Sequence, residues 1–339
     1  MSLRSVGQNR NLFAVSICLA GAMISGASAL AAPSCTSQSA LTPTDRNALA
    51  ATGEQLGQAI IRGDISTLHA ALLPAISDQW AGIQNEAQEG EALVKGGQVE
   101  LRNAYLLDAT SQTATADTQF FCSNASGSLT VTVNMRALPP GRYALLLASA
   151  KGAPLDGQMG FVLVWDTTSG APAWKLGGLS VRQGSFENHD GVWYWTRARA
   201  LEANGQPWSA WYSYDYARYM LVPVDFLSSP NLDKLNQEQS DIKNGPANAF
   251  PLSIPDGDRT WKILSMRIDP SLREPDLDVR YESLGIADPA AQRTEAIAVL
   301  SSILKAHPDL RANFHGLWAV ASKDGKTTPV LELPMAKIP

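Results

Sequence analysis

The sequence predicts an α+β protein with three folded parts. Apolar residues recur at helical spacing from about 44 to 87, whereas residues 99–181 alternate between apolar and polar with a period of two. Two further helices are predicted over 191–223, and strands around one long helix after 256. Hydrophobic residues make up 45% of the chain and charged residues 17%, which is typical of folded domains.

Residues 1–31 have the three-part layout of a secretory signal peptide. Arg4 and Arg10 precede an apolar run, and small residues before Ala29 and Ala31 predict cleavage after one of them. Gly21, Ser25 and Gly26 interrupt that run, so it does not resemble a membrane span. We therefore expect an exported protein, periplasmic or secreted, with no transmembrane segment after signal cleavage.

Charge excludes one class of partner. The formal net charge is −5, and loss of Arg4 and Arg10 with the signal peptide makes the mature chain more acidic. Lys and Arg form no cluster. We therefore expect no nucleic acid partner.

The cysteines predict one disulfide. Cys18 leaves with the signal peptide, so Cys35 and Cys122 remain in an oxidising compartment. We expect them to pair, and two free buried thiols are the alternative.

The first domain is predicted over residues 40–185. A polar tether at 32–42 leads to a helix that opens at Thr44-Asp45 and stops at Gly63-Asp64. Asp64 or Ser66 caps a second helix, which ends before Pro74, and a third helix follows. Strands are predicted at 99–107, 115–122, 129–136, 143–148, 161–165 and 174–181.

This order of helix, Gly63-Asp64, helix and antiparallel strands ending in Trp174-Lys175-Leu176 resembles the nuclear-transport-factor-like superfamily of cystatin-like folds. The resemblance implies a cone-shaped domain made of helices and a curved antiparallel sheet. It also implies either a small apolar ligand in the cone or an enzyme with an Asp/His pair there. Asp64 and His69, near the helix junction, are the residues nearest to such a pair. The alternative function is thus a small-molecule hydrolase or isomerase acting in that pocket.

A helical hairpin is predicted within residues 190–243. Gly205-Gln206-Pro207 splits two helices, and Pro207 suits a first helical position. The hairpin resembles one tetratricopeptide repeat in the order Tyr194, Ala198, Leu201, Gly205, Ala210, Tyr214, Ala217 and Pro223. We find one copy of this repeat. Because a single repeat cannot bury its faces alone, we interpret the hairpin as a bridge between domains.

This hairpin concentrates aromatic residues. Residues 191–223 hold four of the nine tryptophans and five of the eight tyrosines. Packing against the flanking domains explains most of these rings. The alternative is a surface that recognises a protein or an envelope component, because Trp, Tyr and Arg dominate binding hot spots. The candidate binding residues are Trp193, Arg197, Trp208, Trp211, Tyr212, Tyr216 and Tyr219.

The last part, residues 256–335, predicts a ββαββ domain after a linker at 244–255. Strands at 261–268 and 277–281 precede a helix that begins at Asp288-Pro289 and closes at Pro308. Strands at 314–320 and 329–333 flank Asp324-Gly325, a hairpin turn signal.

Signatures of catalysis and metal binding are missing. There is no G-x-S-x-G elbow, and Ser302-x-x-Lys305 lacks its usual partner motifs. The histidines at 69, 189, 307 and 315 form no i,i+4 pair, and the mature cysteines show no C-x-x-C spacing. The sequence therefore predicts no catalytic residue, no cofactor and no metal. We expect an exported, non-catalytic binding or scaffolding protein of the bacterial cell envelope.

Overall fold

A short strand and then three helices open the described chain, and the helices follow the period of its apolar residues. The computed structural model describes residues 32–124, 126–127, 130–153, 155–168, 170–270, 274–285 and 288–339, and the predicted signal peptide lies outside them. Thr42 caps the first helix by accepting a hydrogen bond from the Asp45 N–H, and Gly63, at φ 65°, ends it. The elements are β1 (Ser34–Ser37), α1 (Pro43–Ile61), α2 (Ile65–Ala71) and α3 (Trp80–Val94).

Six long strands follow, in two sheets. The larger sheet has the order β1-β2-β5-β6-β7, while β3 and β4 pair with each other outside it. The six predicted strands are confirmed, but they do not form one continuous sheet. They are β2 (Gln98–Asp108), β3 (Ala116–Ser123), β4 (Thr130–Leu138), β5 (Arg142–Lys151), β6 (Gln158–Asp166) and β7 (Ala173–Arg182).

Both faces of the larger sheet are covered. The layer under the helices is filled by side chains such as Leu56, Ile60 and Phe161, all almost fully buried. The layer under β3 and β4 is filled by side chains that include Phe120 and Val133. This α+β packing agrees with the predicted fold class, and the cone-shaped architecture stays a prediction.

The predicted disulfide is confirmed between Cys35 and Cys122. It joins β1 to β3. The tether predicted at 32–42 is wrong, because Ser34–Ser37 pairs with the end of β2. Small polar residues gave no strand signal there, and backbone pairing beside the disulfide decides the local structure.

The helical hairpin is present where the sequence places it. Gly205 adopts φ 72° between its two helices, and Ala198, Ala210 and Ala217 are fully buried. Asp190 caps the first helix, and Ser229 caps the helix after the hairpin. The elements are β8 (Ser185–Phe186), β9 (His189–Asp190), α4 (Gly191–Ala203), α5 (Pro207–Leu221), β10 (Leu227–Ser228) and α6 (Pro230–Ser240), and β10 pairs with β4.

The C-terminal sheet has one strand more than predicted. The linker prediction at 244–255 is wrong for its last residues, because β11 pairs with β12. Leu252 and Ile254 alternate with polar residues, and Pro255 is tolerated because β11 lies at the sheet edge. The elements are β11 (Leu252–Asp256), β12 (Arg259–Ile268), β13 (Leu277–Glu282), α7 (Pro289–Ala306), β14 (Gly316–Lys323) and β15 (Lys326–Pro334).

These five strands pair in chain order, and β13 and β14 are parallel because α7 connects them. Leu277, Val279 and Leu317 on one face join a core with side chains of α7 and of the hairpin. Alternate residues point to the opposite face, which we call the polar face. Among the described residues, no helix is long and apolar enough to cross a membrane.

Candidate functional site

The aromatic candidates separate into two groups. Trp208, Tyr212 and Tyr216 lie in the core shared by the hairpin and the C-terminal sheet, with exposed fractions of 6%, 1% and 0%. These rings cannot contact a partner in this structure. Their three- and four-residue spacing reflects the buried face of α5.

Trp193, Trp211 and Tyr219 remain partly exposed. The imidazole of His189 stacks on Trp193 at 3.7 Å between ring centroids, and the Arg197 guanidinium lies 5.0 Å from the same ring. Arg197 also donates to Asn313 Oδ1 at 2.9 Å. The binding-surface hypothesis for the hairpin stays a prediction that now concerns these part-exposed residues.

Asp64 and His69 are both engaged in helix packing. The Asp64 carboxylate accepts hydrogen bonds from the hydroxyls of Thr67 and Ser66 and from the Thr67 N–H, which lower its pKa to about 2. His69 packs edge-on against Trp80, with ring centroids 4.6 Å apart. An N-cap and an aromatic contact therefore account for the two residues.

The polar face carries a row of chemically active side chains. Arg267, Asp278, Trp318 and Glu332 lie on β12, β13, β14 and β15, and each is the direct register partner of the next. Direct partners in adjacent strands point to the same face, at neighbouring positions. We call these four residues the polar row.

Three atoms of the polar row are buried without a hydrogen-bond partner among the described residues. They are Asp278 Oδ1, Trp318 Nε1 and Glu332 Oε1. The other Asp278 oxygen accepts from Arg267 Nε at 3.0 Å and lies 2.9 Å from Nη2. Buried polar atoms are nearly always paired in folded proteins, so three orphaned atoms in one row call for a ligand, an ion or water.

A cluster of metal-type ligands lies at the end of this row. Asp276 directly precedes β13, His315 directly precedes β14, and Glu332 is on β15. His315 Nδ1 lies 2.9 Å from Asp276 Oδ1, and one ligand atom from each residue falls within 4.8 Å of the other two. We call Asp276, His315 and Glu332 the carboxylate–imidazole cluster, and its two oxygens and one nitrogen are the atoms that could hold a metal.

Burial and neighbouring carboxylates raise the pKa values of two residues of the cluster. Burial raises the pKa of Asp276, whose side chain is only 4% exposed, and outweighs the lowering effects of His315 and of the Trp318 indole, which lies near this carboxyl but outside ordinary hydrogen-bond geometry. Burial alone would lower the pKa of His315, but Asp276, Glu274 and Glu332 outweigh it and raise that pKa. Three carboxylates around one imidazole leave a local excess of negative charge.

Backbone contacts fix the cluster. The His315 N–H donates to the Pro275 carbonyl at 3.1 Å, and the Met335 N–H donates to the His315 carbonyl at 2.8 Å. The buried Tyr216 hydroxyl donates to the Asp276 carbonyl at 2.6 Å. The aromatic hairpin thus supports the strand end that presents Asp276.

A cavity of about 400 Å³ lies on the polar face, and it is lined by residues of the polar row but by none of the three cluster residues. Trp318, Arg267 and Arg280 line it. Within the part of the chain that the structure describes, Arg280 makes no ion pair, so a cationic group remains at the wall of the cavity. The size suits a small ligand.

Sequence reasoning missed this cluster. Asp276, His315 and Glu332 are separated by 39 and 17 positions, so no short motif contains two of them. A usable signal existed: Asp276 and His315 each stand one residue before a buried strand, and parallel neighbours bring such positions together. The prediction of no metal rests on local spacing alone, and it stays a prediction.

No family model, no curated protein and no solved structure matches this chain. The nuclear-transport-factor-like and tetratricopeptide-like assignments stay predictions.

Proposed function

We propose that this protein is an exported, non-catalytic binding protein of the cell envelope that holds its ligand on the polar face of the C-terminal sheet. The observation that carries the proposal is the polar row, with its three buried polar atoms that lack partners among the described residues. Each such atom costs about 1–3 kcal/mol of folding free energy. Unpartnered polar atoms on one sheet face therefore support a binding site there, where a ligand, an ion or ordered water would satisfy them.

Export is supported by two independent features. The first 31 residues have the composition of a signal peptide, and Cys35 and Cys122 form a disulfide that suits an oxidising compartment. The expected mature chain begins at Leu30 or Ala32. Mass spectrometry of the protein recovered from periplasm tests this, and an intact segment 1–31 there would contradict it.

The alternative function, a hydrolase or isomerase in the cone of the first domain, has weaker support. Asp64 caps α2 and His69 packs on Trp80, so both side chains already have structural roles. Leu, Ile and Phe side chains fill the layer between the helices and the sheet.

A thermal-shift screen of the mature protein tests the proposed site. The panel contains divalent metals, small carboxylic acids, sugars and phosphates, and a ligand that binds the folded state raises the melting temperature. We expect at least one class to stabilise the wild type but not Glu332→Gln or Trp318→Phe. A matched control, Trp211→Phe on the hairpin, should respond like the wild type.

Two results would contradict the proposal. One is a screen in which nothing stabilises the wild type. The other is a ligand whose effect survives both polar-row substitutions but disappears in Trp211→Phe, which would move the site to the hairpin.

A further inference from the structure

The two carboxylates of the cluster converge over Gly316. A Cβ built at this position would lie 3.0 Å from Asp276 Oδ1, 3.2 Å from Glu332 Oε1 and 2.8 Å from the Leu333 carbonyl oxygen. Only glycine leaves that space open, because contacts this close are rarely tolerated. The absent side chain creates a cradle bordered by two carboxylate oxygens.

An ordinary ion pair does not complete this arrangement. The Asp276–His315 contact satisfies one oxygen and one nitrogen, but Glu332 Oε1 stays buried without a partner among the described residues. Burying a carboxylate oxygen without a donor or a cation is costly. A cation between the two carboxylates would satisfy this oxygen.

On this basis we infer that Asp276, His315 and Glu332 form a binding site for a divalent transition metal ion, an inference that rests on the proposed use of the polar face as a binding site. Metal–ligand bonds of about 2.0–2.2 Å in tetrahedral geometry place the ligand atoms of one ion about 3.3–3.6 Å apart. The observed limit of 4.8 Å therefore requires the most widely separated ligand atoms to close by up to about 1.5 Å when an ion binds.

The donor set selects the class of metal. Two carboxylate oxygens and one imidazole nitrogen suit borderline ions such as Zn²⁺ and Co²⁺, whereas Ca²⁺ and Mg²⁺ prefer oxygen ligands alone. Three protein ligands leave at least one coordination position open. The His315 side chain is 37% exposed, so solvent reaches this side of the site. The ion can enter from there and retain a water molecule or an oxygen of a bound ligand.

The test is a titration of the full mature chain with Co²⁺, followed by absorption spectroscopy, and then with Zn²⁺ as competitor. We expect one equivalent of Co²⁺ with visible absorption bands, displaced by Zn²⁺ but not by an equal concentration of Mg²⁺. Substitutions around a metal typically lower affinity about 10–100-fold, so His315→Ala and Glu332→Gln should lower it at least as much. His189→Ala and Glu282→Gln remove the same chemical groups elsewhere and should bind like the wild type.

Melting curves without metal first establish that each variant is folded. Unchanged affinity in folded His315→Ala and Glu332→Gln overturns the inference, as does the absence of Co²⁺ binding by the wild type. If the wild type ignores metals while an organic ligand from the screen depends on Trp318, the inference fails and the proposed function stands. If neither metal nor any other ligand binds the polar face, both fail.

Discussion

The Tyr216 hydroxyl donates a 2.6 Å hydrogen bond to the carbonyl oxygen of Asp276. Tyr216 belongs to α5 of the aromatic hairpin, and Asp276 directly precedes β13 at the carboxylate–imidazole cluster. Burial raises the pKa of Tyr216 well above its ordinary value, so the phenol remains a donor at any physiological pH. The contact joins the densest aromatic segment of the sequence to the site that the sequence did not reveal.

Tyr216→Phe should therefore affect both stability and the site. Loss of one buried hydrogen bond should cost about 1 kcal/mol of unfolding free energy. Because Asp276 loses part of its support, affinity for Co²⁺ should fall roughly 10-fold. Tyr212→Phe is the control: its hydroxyl lies 3.4 Å from the Met266 carbonyl, and its removal should leave Co²⁺ affinity unchanged. If the two variants bind Co²⁺ with equal affinity, the Tyr216 hydrogen bond does not support the metal site.

Trp208→Ala should destabilise the protein strongly. The ring is almost fully buried and stacks on His307 with centroids 3.6 Å apart, so its loss leaves a cavity. We expect a loss of about 3–5 kcal/mol by urea unfolding. Trp193→Ala, at a part-exposed position, should cost clearly less. A melting curve unchanged in Trp208→Ala would show that the ring does not pack in the core.

Reduction of the Cys35–Cys122 bond should lower stability. The disulfide closes a separation of 87 residues. The chain-entropy estimate for a loop of that length is about 4–5 kcal/mol, and measured losses are often smaller. Urea unfolding of the Cys35→Ser/Cys122→Ser variant against the wild type measures the difference. If the double variant is as stable as the wild type and both wild-type thiols are free, the disulfide does not form.

Glu238 should stabilise the protein in a pH-dependent way. Its carboxylate accepts hydrogen bonds from Arg199 Nε at 2.8 Å and from Trp195 Nε1 at 2.6 Å, and these, Arg199 above all, lower its pKa. A depressed pKa gives stability that is present above the ordinary value of 4.5 and is lost as pH falls below it. Glu238→Gln should cost about 1–2 kcal/mol at pH 7, and the cost should shrink under acid conditions. A difference independent of pH would exclude the charge as its cause.

Local chemistry made much of the fold predictable. Asp64 and Asp288 cap helices where the sequence places them. Asp324 and Gly325 adopt positive φ in the hairpin between β14 and β15, as the turn signal predicts. Each of these features depends on a few neighbouring residues.

What escaped prediction depends on distant pairing. The short strands β1 and β11 form by pairing with β2 and β12. Their own sequences are not predicted to be strands. The carboxylate–imidazole cluster comes from three strand positions that only the sheet order brings together. The burial of Trp208 and Tyr216 likewise depends on the C-terminal sheet packing against the hairpin.

Anomalous diffraction from crystals of the mature protein grown with Zn²⁺ tests the polar face most directly. We expect one strong peak about 2.0–2.2 Å from an oxygen of Asp276, a nitrogen of His315 and an oxygen of Glu332. If zinc binds only elsewhere and His315 remains hydrogen-bonded to Asp276, the cluster is not a metal site.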